Sequence, residues 1–142
     1  MSSNIINIRN KINNYYKQKK EDYWNNRRKR ISKERNDKWN KYYQDSRWKL
    51  LRDAYHTAHP CCECCLKQGI VKNGDHVHHV TKFSSGLTED DKFNLLLDCT
   101  NIITLCTYHH SLAHKYMHYN DTNRADVDDI IAYEHQISNP TH

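Results

Sequence analysis

The N-terminal part of the chain has the hydrophobic pattern of a long helix with little to bury. Residues 4–52 contain neither Gly nor Pro, and residues 24–39 hold a single aliphatic side chain, Ile31. Apolar residues recur at spacings of three and four only near the start of this stretch, at Ile5, Ile8, Ile12 and Tyr15. That spacing predicts one face of an α-helix. The rest of the helix is predicted to be mostly solvated.

A second helix is predicted within YYQDSRWKLLRDAYHTAHP, residues 42–60. Asp45 or Ser46 can serve as its N-cap, because short polar side chains accept hydrogen bonds from the first free backbone N–H groups. Pro60 ends the helix. The apolar side chains that share one face of it are Trp48, Leu51 and Tyr55.

Two short β-branched runs follow. DHVHHV, residues 75–80, and NIITL, residues 101–105, both predict strands. The segment TKFSSGLTEDDK, residues 81–92, is predicted to be a loop, and a short apolar run follows it at residues 93–97. The sheet is therefore expected to be small.

Two more helices are predicted towards the C-terminus, at residues 107–119 and within ADVDDIIAYEHQIS, where Asp126 can act as N-cap. These elements together predict an α+β fold that is mostly helical. The pattern shows no internal repeat.

Composition indicates a small domain that a metal would help to stabilise. The chain has 142 residues and a hydrophobic fraction of 37%, against about 45–50% for an average globular chain. The N-terminus lacks an apolar signal-peptide core, and no stretch approaches a membrane span. A soluble cytoplasmic protein is expected. In a reducing compartment, paired cysteines favour metal ligands over disulfides.

Charge is distributed unevenly along the chain. Residues 1–52 carry sixteen Lys and Arg against five Asp and Glu, whereas residues 53–142 carry six against twelve. A basic half of this kind favours a polyanion partner. The basic run RRKRISKER, residues 27–35, is by itself typical of a solvated helix face, but flanking Tyr and Trp residues favour nucleic acid. The candidate DNA contacts are Arg27, Arg28, Lys29, Arg30, Arg47, Lys49 and Arg52.

The stretch from Cys61 to His114 holds all six cysteines and six of the eleven histidines. Structural zinc prefers four Cys or His ligands in a tetrahedron, which two short knuckles can supply. One knuckle is Cys106-x-x-His109. The other lies in CCECC, where Cys61 with Cys64, or Cys62 with Cys65, satisfies the spacing equally well. The residues alone leave this choice open.

The histidines outside the knuckles predict a second metal site. His78 and His79 are neighbours on a predicted strand, so their side chains point to opposite faces. One can bind a metal while the other acts on a water molecule. His110 and His114 are four residues apart on a predicted helix and share a face. His78, His110 and His114 can therefore form an open three-imidazole site.

These residues carry a resemblance. The segments WKLLRDAYHTAHPCCECCLKQGIV, DHVHHV and NIITLCTYHHSLAHK resemble the HNH endonuclease family, in particular small bacteriophage members with a zinc-stapled ββα-metal motif, also called the His-Me finger. The likeness runs from about residue 42 to residue 115. It implies a basic helical arm at residues 1–44, a nuclease domain at 45–120 and an acidic C-terminal helix or tail at 121–142.

The resemblance also implies a role for each residue. In the family, the zinc ligands correspond here to Cys62, Cys65, Cys106 and His109. It makes His79 the general base and Asn101 the residue that holds the geometry around it. The catalytic metal would be bound by His78, His110 and His114, of which His114 matches an additional ligand of the colicin-like members.

Two positions depart from the family pattern. His109 stands where the fourth zinc ligand is usually Cys, and His78 stands where a metal-binding Asp is common. Imidazole suits Zn²⁺, Ni²⁺, Co²⁺ or Mn²⁺ better than Mg²⁺, which prefers oxygen. Besides the structural Zn²⁺, we expect a catalytic site that accepts several divalent metals. Mg²⁺ is among them because water and phosphate can supply oxygen ligands.

The resulting hypothesis is a metal-dependent DNA endonuclease or nickase. His79 would take a proton from the water that attacks phosphorus, and the metal would stabilise the departing 3′-oxygen. Two alternatives are a zinc-stapled DNA-binding accessory protein without hydrolysis and a thiol redox or metal-buffering protein. The family likeness further implies work beside a phage terminase in genome packaging, and no membrane partner is expected.

Overall fold

The computed structural model describes residues 2–138 and confirms a mostly helical α+β fold with a small sheet. Contacts divide the chain into two units, with the boundary between Lys41 and Tyr42. The elements in chain order are α1 (Ser2–Tyr43), α2 (Ser46–Ala58), α3 (Glu63–Lys67), β1 (His76–His79), α4 (Glu89–Leu96), β2 (Ile102–Leu105), α5 (Thr107–Tyr119) and α6 (Val127–Ser138). Among these described residues, no helix is both long and apolar enough to cross a membrane.

Helix α1 is continuous for 42 residues, as the absence of Gly and Pro predicts. Its apolar face is not buried. Ile5 and Ile12 are 54% and 49% exposed, and Ile8 and Tyr15 are similar. The spacing therefore predicted the helix correctly but did not predict that its apolar face is exposed.

Helix α2 begins and ends as its sequence predicts. The side chain of Asp45 caps it by accepting a hydrogen bond of 2.9 Å from the Arg47 backbone N–H. The helix ends at Ala58, two residues before Pro60. Trp48 is its buried residue, at 3% exposure. This indole lies against the hairpin and faces one of the candidate sites.

The two predicted strands form an antiparallel hairpin. His76 pairs with Leu105 and His79 pairs with Ile102. All four residues of β2 are buried, which matches the unbroken apolar pattern of NIITL. Helix α5 starts directly after β2, with Cys106 as its N-cap. The hairpin and α5 thus carry most of the candidate residues.

Two short helices were not predicted. Residues 81–92 were expected to be a loop, but Phe83–Ser85 forms a 3₁₀ turn and α4 begins at Glu89. A capping box between Thr88 and Asp91 starts α4, with each side chain bonded to the other residue's backbone N–H. Helix α3 was also missed, because five residues are too few to show a period.

The core of the second unit lies between the hairpin and the C-terminal helices. Helix α6 packs against α5 and α3, and Asp126 caps it through a 2.8 Å hydrogen bond from the Asp129 backbone N–H. At the other end, Tyr42 is 2% exposed and its hydroxyl donates to Glu89. The largest fully buried apolar side chains among the described residues are Leu96, Leu105, Met117 and Ile130.

Candidate metal centres

Three cysteines and one histidine form a buried cluster that could hold a metal ion. Cys62 is the N-cap of α3 and Cys65 lies within that helix, while Cys106 is the N-cap of α5 and His109 follows one turn later. Each pair therefore sits at a turn leading into a helix. Because a turn and the first helical residues bring positions three apart together, a Cys-x-x-Cys or Cys-x-x-His spacing suits a single ion.

The distances in this cluster fit a tetrahedral ion. The Nδ1 atom of His109 lies 3.5 Å from Cys62 Sγ, 3.4 Å from Cys65 Sγ and 3.3 Å from Cys106 Sγ. Zinc bonds of ~2.3 Å to sulfur and ~2.0 Å to nitrogen, at tetrahedral angles, require an N to S separation of about 3.5 Å. The donor set and spacing are thus consistent with structural zinc.

The other cysteines of CCECC point elsewhere. Cys61 pairs with Asn73 in an isolated bridge and is partly exposed. Cys64 is buried, with its Sγ 4.0 Å from the Val127 carbonyl oxygen. All six cysteines, each within the described residues, are free thiols. Of the two spacings that the sequence left open, the structure brings Cys62 and Cys65 to the cluster.

The thiols are crowded in a way that favours a cation. Burial acts to raise the pKa of Cys62, but hydrogen bonds from Cys106 and Cys65 outweigh it and leave this pKa lowered. Burial, followed by the hydrogen bond and charge of Cys62, raises the pKa of Cys65 to about 12. One thiolate thus suppresses ionisation of its neighbour. A divalent cation would stabilise all of them together.

A second cluster consists of His78, His110 and His114, each of which places one ring nitrogen within 4.8 Å of those of the other two. The Nε2 atoms of His110 and His114 are 3.1 Å apart. The Nε2 of His78 is buried and, within the described residues, has no hydrogen-bond partner. Since a buried polar atom without a partner is unfavourable, this nitrogen is the strongest structural sign of a missing ligand.

These imidazoles are neutral at neutral pH, which is the form that binds metal. Burial, together with the neighbouring His110 and His114, lowers the pKa of His78 to about 3. Burial and the neighbouring His114 lower the pKa of His110 to about 4. The pKa of His114 is also lowered, mainly by burial. No proton has to be displaced before an ion binds.

His79 lies on the opposite face of β1 from His78 and is held firmly. Its Nε2 is 3.1 Å from the Leu96 carbonyl oxygen, and its ring packs 4.5 Å from the Trp48 ring. Because a carbonyl can only accept, Nε2 carries the proton and Nδ1 keeps the lone pair. Burial lowers the pKa of His79. The side chain is therefore a neutral base with a fixed orientation.

Asn101 connects the segments around His79. Its Oδ1 accepts from the Thr81 backbone N–H at 2.8 Å, and its Nδ2 donates to the carbonyl oxygens of Thr81, at 2.9 Å, and Leu95, at 3.1 Å. Leu95 directly precedes Leu96, whose carbonyl orients His79. The amide thus fixes the end of β1 and the end of α4 relative to β2.

Several contacts at the two clusters were not foreseen. Glu134 on α6 lies 3.1 Å from His109 Nε2, and His76 stacks on His110 at 4.2 Å. The Leu96 carbonyl carries no sequence signal, because any residue could supply it. Trp48 was predicted only as an apolar position. Glu134 is an acidic residue on the apolar face of a short C-terminal helix, and this unusual position was the signal that could have identified it.

The candidate DNA contacts are described separately for each unit. On α1, the guanidinium of Arg27 lies 5.5 Å from the centre of the Trp24 ring. On α2, Arg47 pairs with Asp45 at 2.9 Å, Arg52 pairs with Asp53, and Lys49 donates to Gln44. Exposed pairs of this kind are weak and can exchange for phosphate. The DNA contacts stay a prediction, including those of Arg28, Lys29 and Arg30.

No protein-family model, no curated protein and no solved structure matches this chain. The function of this chain is therefore inferred from its own residues.

Proposed function

We propose that this protein is a metal-dependent DNA endonuclease or nickase of the HNH type, and that its hairpin and α5 form a ββα-metal core. The observation that carries the proposal is the placement of His79. It is a neutral, oriented base on one face of β1, while His78, on the other face, joins His110 and His114 in a three-imidazole cluster. Phosphodiester hydrolysis needs a base for water and a positive centre for phosphate.

The three-imidazole cluster fits a divalent ion. The unpaired Nε2 of His78 and the 3.1 Å approach of His110 to His114 are what a shared ligand would relieve. A bound ion would polarise the phosphate and stabilise the charge on the departing 3′-oxygen. Three nitrogen donors leave further positions for water and phosphate, and they favour Zn²⁺, Ni²⁺, Co²⁺ or Mn²⁺ over Mg²⁺.

His79 would accept the proton of the attacking water through Nδ1. Its Nε2–H bond to the Leu96 carbonyl holds the ring and fixes the tautomer, so that the lone pair stays on Nδ1. Trp48 and Phe83 pack on the ring, at 4.5 Å and 5.3 Å, and prevent it from rotating. General base catalysis of this kind contributes about 10²–10⁴ to the rate.

The Cys₃His cluster would have a different task. It lies between α3 and the start of α5. A zinc ion there would hold the start of α5 against α3, and so would help to fix the position of His110 on α5. The scaffold and the reaction would thus depend on separate ions.

Binding of the DNA backbone is assigned to the basic residues. Residues 27–35 contain six cationic side chains, and all of them are exposed. Cations neutralise phosphates without reading sequence, so this contribution is expected to be salt-sensitive and largely independent of the DNA sequence.

A plasmid-cleavage assay tests the proposal. Supercoiled plasmid is incubated with wild-type protein and Mg²⁺, Mn²⁺, Co²⁺, Ni²⁺ or Zn²⁺, and nicked or linear product is measured. Cleavage is expected with at least one ion, and the double variant H110A/H114A is expected to lose it. The matched control is H118A, which removes an exposed histidine from the same helix. It is expected to cut normally.

Salt-sensitive DNA binding with no cleavage in any of the five ions would overturn the proposal and favour a DNA-binding accessory protein instead. Full cleavage by H110A/H114A would exclude the imidazole cluster as the reactive centre.

A further inference from the structure

We propose that Glu134, on the C-terminal helix α6, is the positioning carboxylate of the Cys₃His centre, and that it makes His109 an effective metal ligand. Its Oε1 lies 3.1 Å from Nε2 of His109. His109 is buried, with 4% of its side chain exposed, and Glu134 is partly buried, with 14% exposed. The proposal depends on a metal in this centre but not on nuclease activity.

The geometry separates the two nitrogens of the His109 ring. Nδ1 faces the three thiols at 3.3–3.5 Å, and Nε2 faces the carboxylate. A carboxylate can only accept, so Nε2 carries the proton and Nδ1 presents its lone pair to the ion. Pairing a ligating imidazole with a carboxylate fixes its tautomer and orientation and makes it a stronger donor.

Glu134 is itself held in place. Gln68, at the C-terminal end of α3, donates to Oε1 of Glu134 at 3.0 Å. The same Gln68 amide donates to the Cys64 carbonyl oxygen at 3.2 Å, and its Oε1 lies 3.1 Å from Nε2 of His135 on α6. The carboxylate is therefore attached to the helix that carries Cys65. A carboxylate that merely filled a surface position would not need these partners.

The arrangement also connects α6 to the metal centre. Helix α6 supplies no direct ligand, yet through Glu134 it contacts the one ligand that is not a thiolate. Loss of the metal is thus expected to loosen α6, and loss of Glu134 is expected to weaken metal binding.

Metal affinity measures this directly. Zn²⁺ binding to the full-length chain is followed by competition with a chelator, for wild type, E134A, E134Q and D128N. E134A is expected to bind Zn²⁺ about 10–100-fold more weakly, the usual effect of losing such a partner. E134Q retains an acceptor oxygen and is expected to recover part of the loss. Asp128 lies on the same helix and pairs with Lys67 at the surface, so the D128N variant should bind Zn²⁺ as tightly as wild type does.

A substitution of the ligand separates positioning from a general effect on folding. H109C keeps four ligands but has no second ring nitrogen for Glu134 to contact. In the H109C background, E134A should therefore leave Zn²⁺ affinity unchanged. An equal loss in both backgrounds would show that Glu134 acts on the fold alone and would overturn the proposal, as would wild-type affinity in E134A.

If E134A fails to fold, E134Q and H109C/E134Q carry the same comparison. The wild-type protein provides a further readout, because ¹⁵N NMR of the Zn²⁺-loaded chain should show a protonated Nε2 on His109. A proton on Nδ1 would contradict the proposal.

Discussion

At the scale of single residues, neighbours in the sequence have very different surroundings. Within CCECC, Cys62 and Cys65 face the candidate zinc centre while Cys64 faces the Val127 carbonyl. The spacing alone could not distinguish the two pairs, because both have the same separation. The choice depends on how α3 is rotated, and five residues give no periodic signal for that rotation.

Serine substitutions test the assignment of the zinc ligands. C61S and C64S should keep one tightly bound zinc per chain, because neither residue belongs to the group of four candidate ligands. C62S and C65S should lose it, since each removes a ligand from a set of four. Metal content after dialysis against a chelator measures this. Loss of zinc in C64S with zinc kept in C65S would reverse the assignment.

Asn101 is expected to matter for stability as well as for cleavage. N101A removes three hydrogen bonds to backbone groups of Thr81 and Leu95. Leaving such groups unpaired should lower the free energy of unfolding by ~2 kcal/mol. Urea unfolding of the zinc-loaded protein measures this.

The control is the N120A variant. The Asn120 side-chain amide donates a hydrogen bond to the Tyr116 carbonyl oxygen at an exposed helix end, so its loss should change the free energy of unfolding by less than ~0.5 kcal/mol. Equal stability of N101A and wild type would be evidence against this structural role.

At the scale of elements, capping residues and hydrophobic periods predicted most of the fold. Asp45, Asp126 and Pro60 mark helix boundaries close to those observed. The same signals were overlooked at α4, where Thr88 and Asp91 form a capping box inside a segment that was predicted to be a loop. Three acidic residues lie in the first turn of α4, where acidic side chains favour a helix N-terminus.

Residues that support the ligands were harder to predict than the ligands themselves. Cysteine and histidine spacing indicates a metal site, because the chemistry restricts which residues can bind. Glu134 is 25 residues from His109 in sequence, and the carbonyl of Leu96 is a backbone group. The position of Glu134 on the apolar face of α6 was a local signal, but which residue it contacts depends on tertiary packing, which no local pattern encodes.

Helix α1 can be tested as an element by a chain that begins at Tyr42. The cut is placed there because Tyr42 packs on Phe83 and Phe93 in the second unit. The shortened chain should keep zinc but bind duplex DNA more weakly. Each phosphate contact contributes about 0.9 to the slope of log K against log salt, so the six cations of residues 27–35 alone can account for a reduction of about 5 in the slope. Fluorescence anisotropy at several salt concentrations measures it.

An unchanged affinity and an unchanged slope would mean that α1 serves something other than DNA. Its exposed isoleucines near the N-terminus would then become the surface to investigate.

At the scale of the whole molecule, the second unit carries two clusters of side chains that could hold a metal ion, placed on α3, β1 and α5. The Cys₃His cluster lies between α3 and the start of α5. The three-imidazole cluster lies one turn further along α5, against β1. Because His78 and His79 are adjacent on β1, the proposed metal site and the proposed base lie on opposite faces of a single strand. The central claim is that these two faces act together on a phosphodiester.

The most direct test is the rate of plasmid cleavage by H79A, measured beside its zinc content and DNA affinity. We expect H79A to keep its zinc, to bind DNA as wild type does, and to cut at least ~10²-fold more slowly, because only the proposed base is lost. Zinc content and DNA affinity show whether the variant is still folded. A folded, zinc-loaded H79A that cuts at the wild-type rate would exclude His79 as the general base.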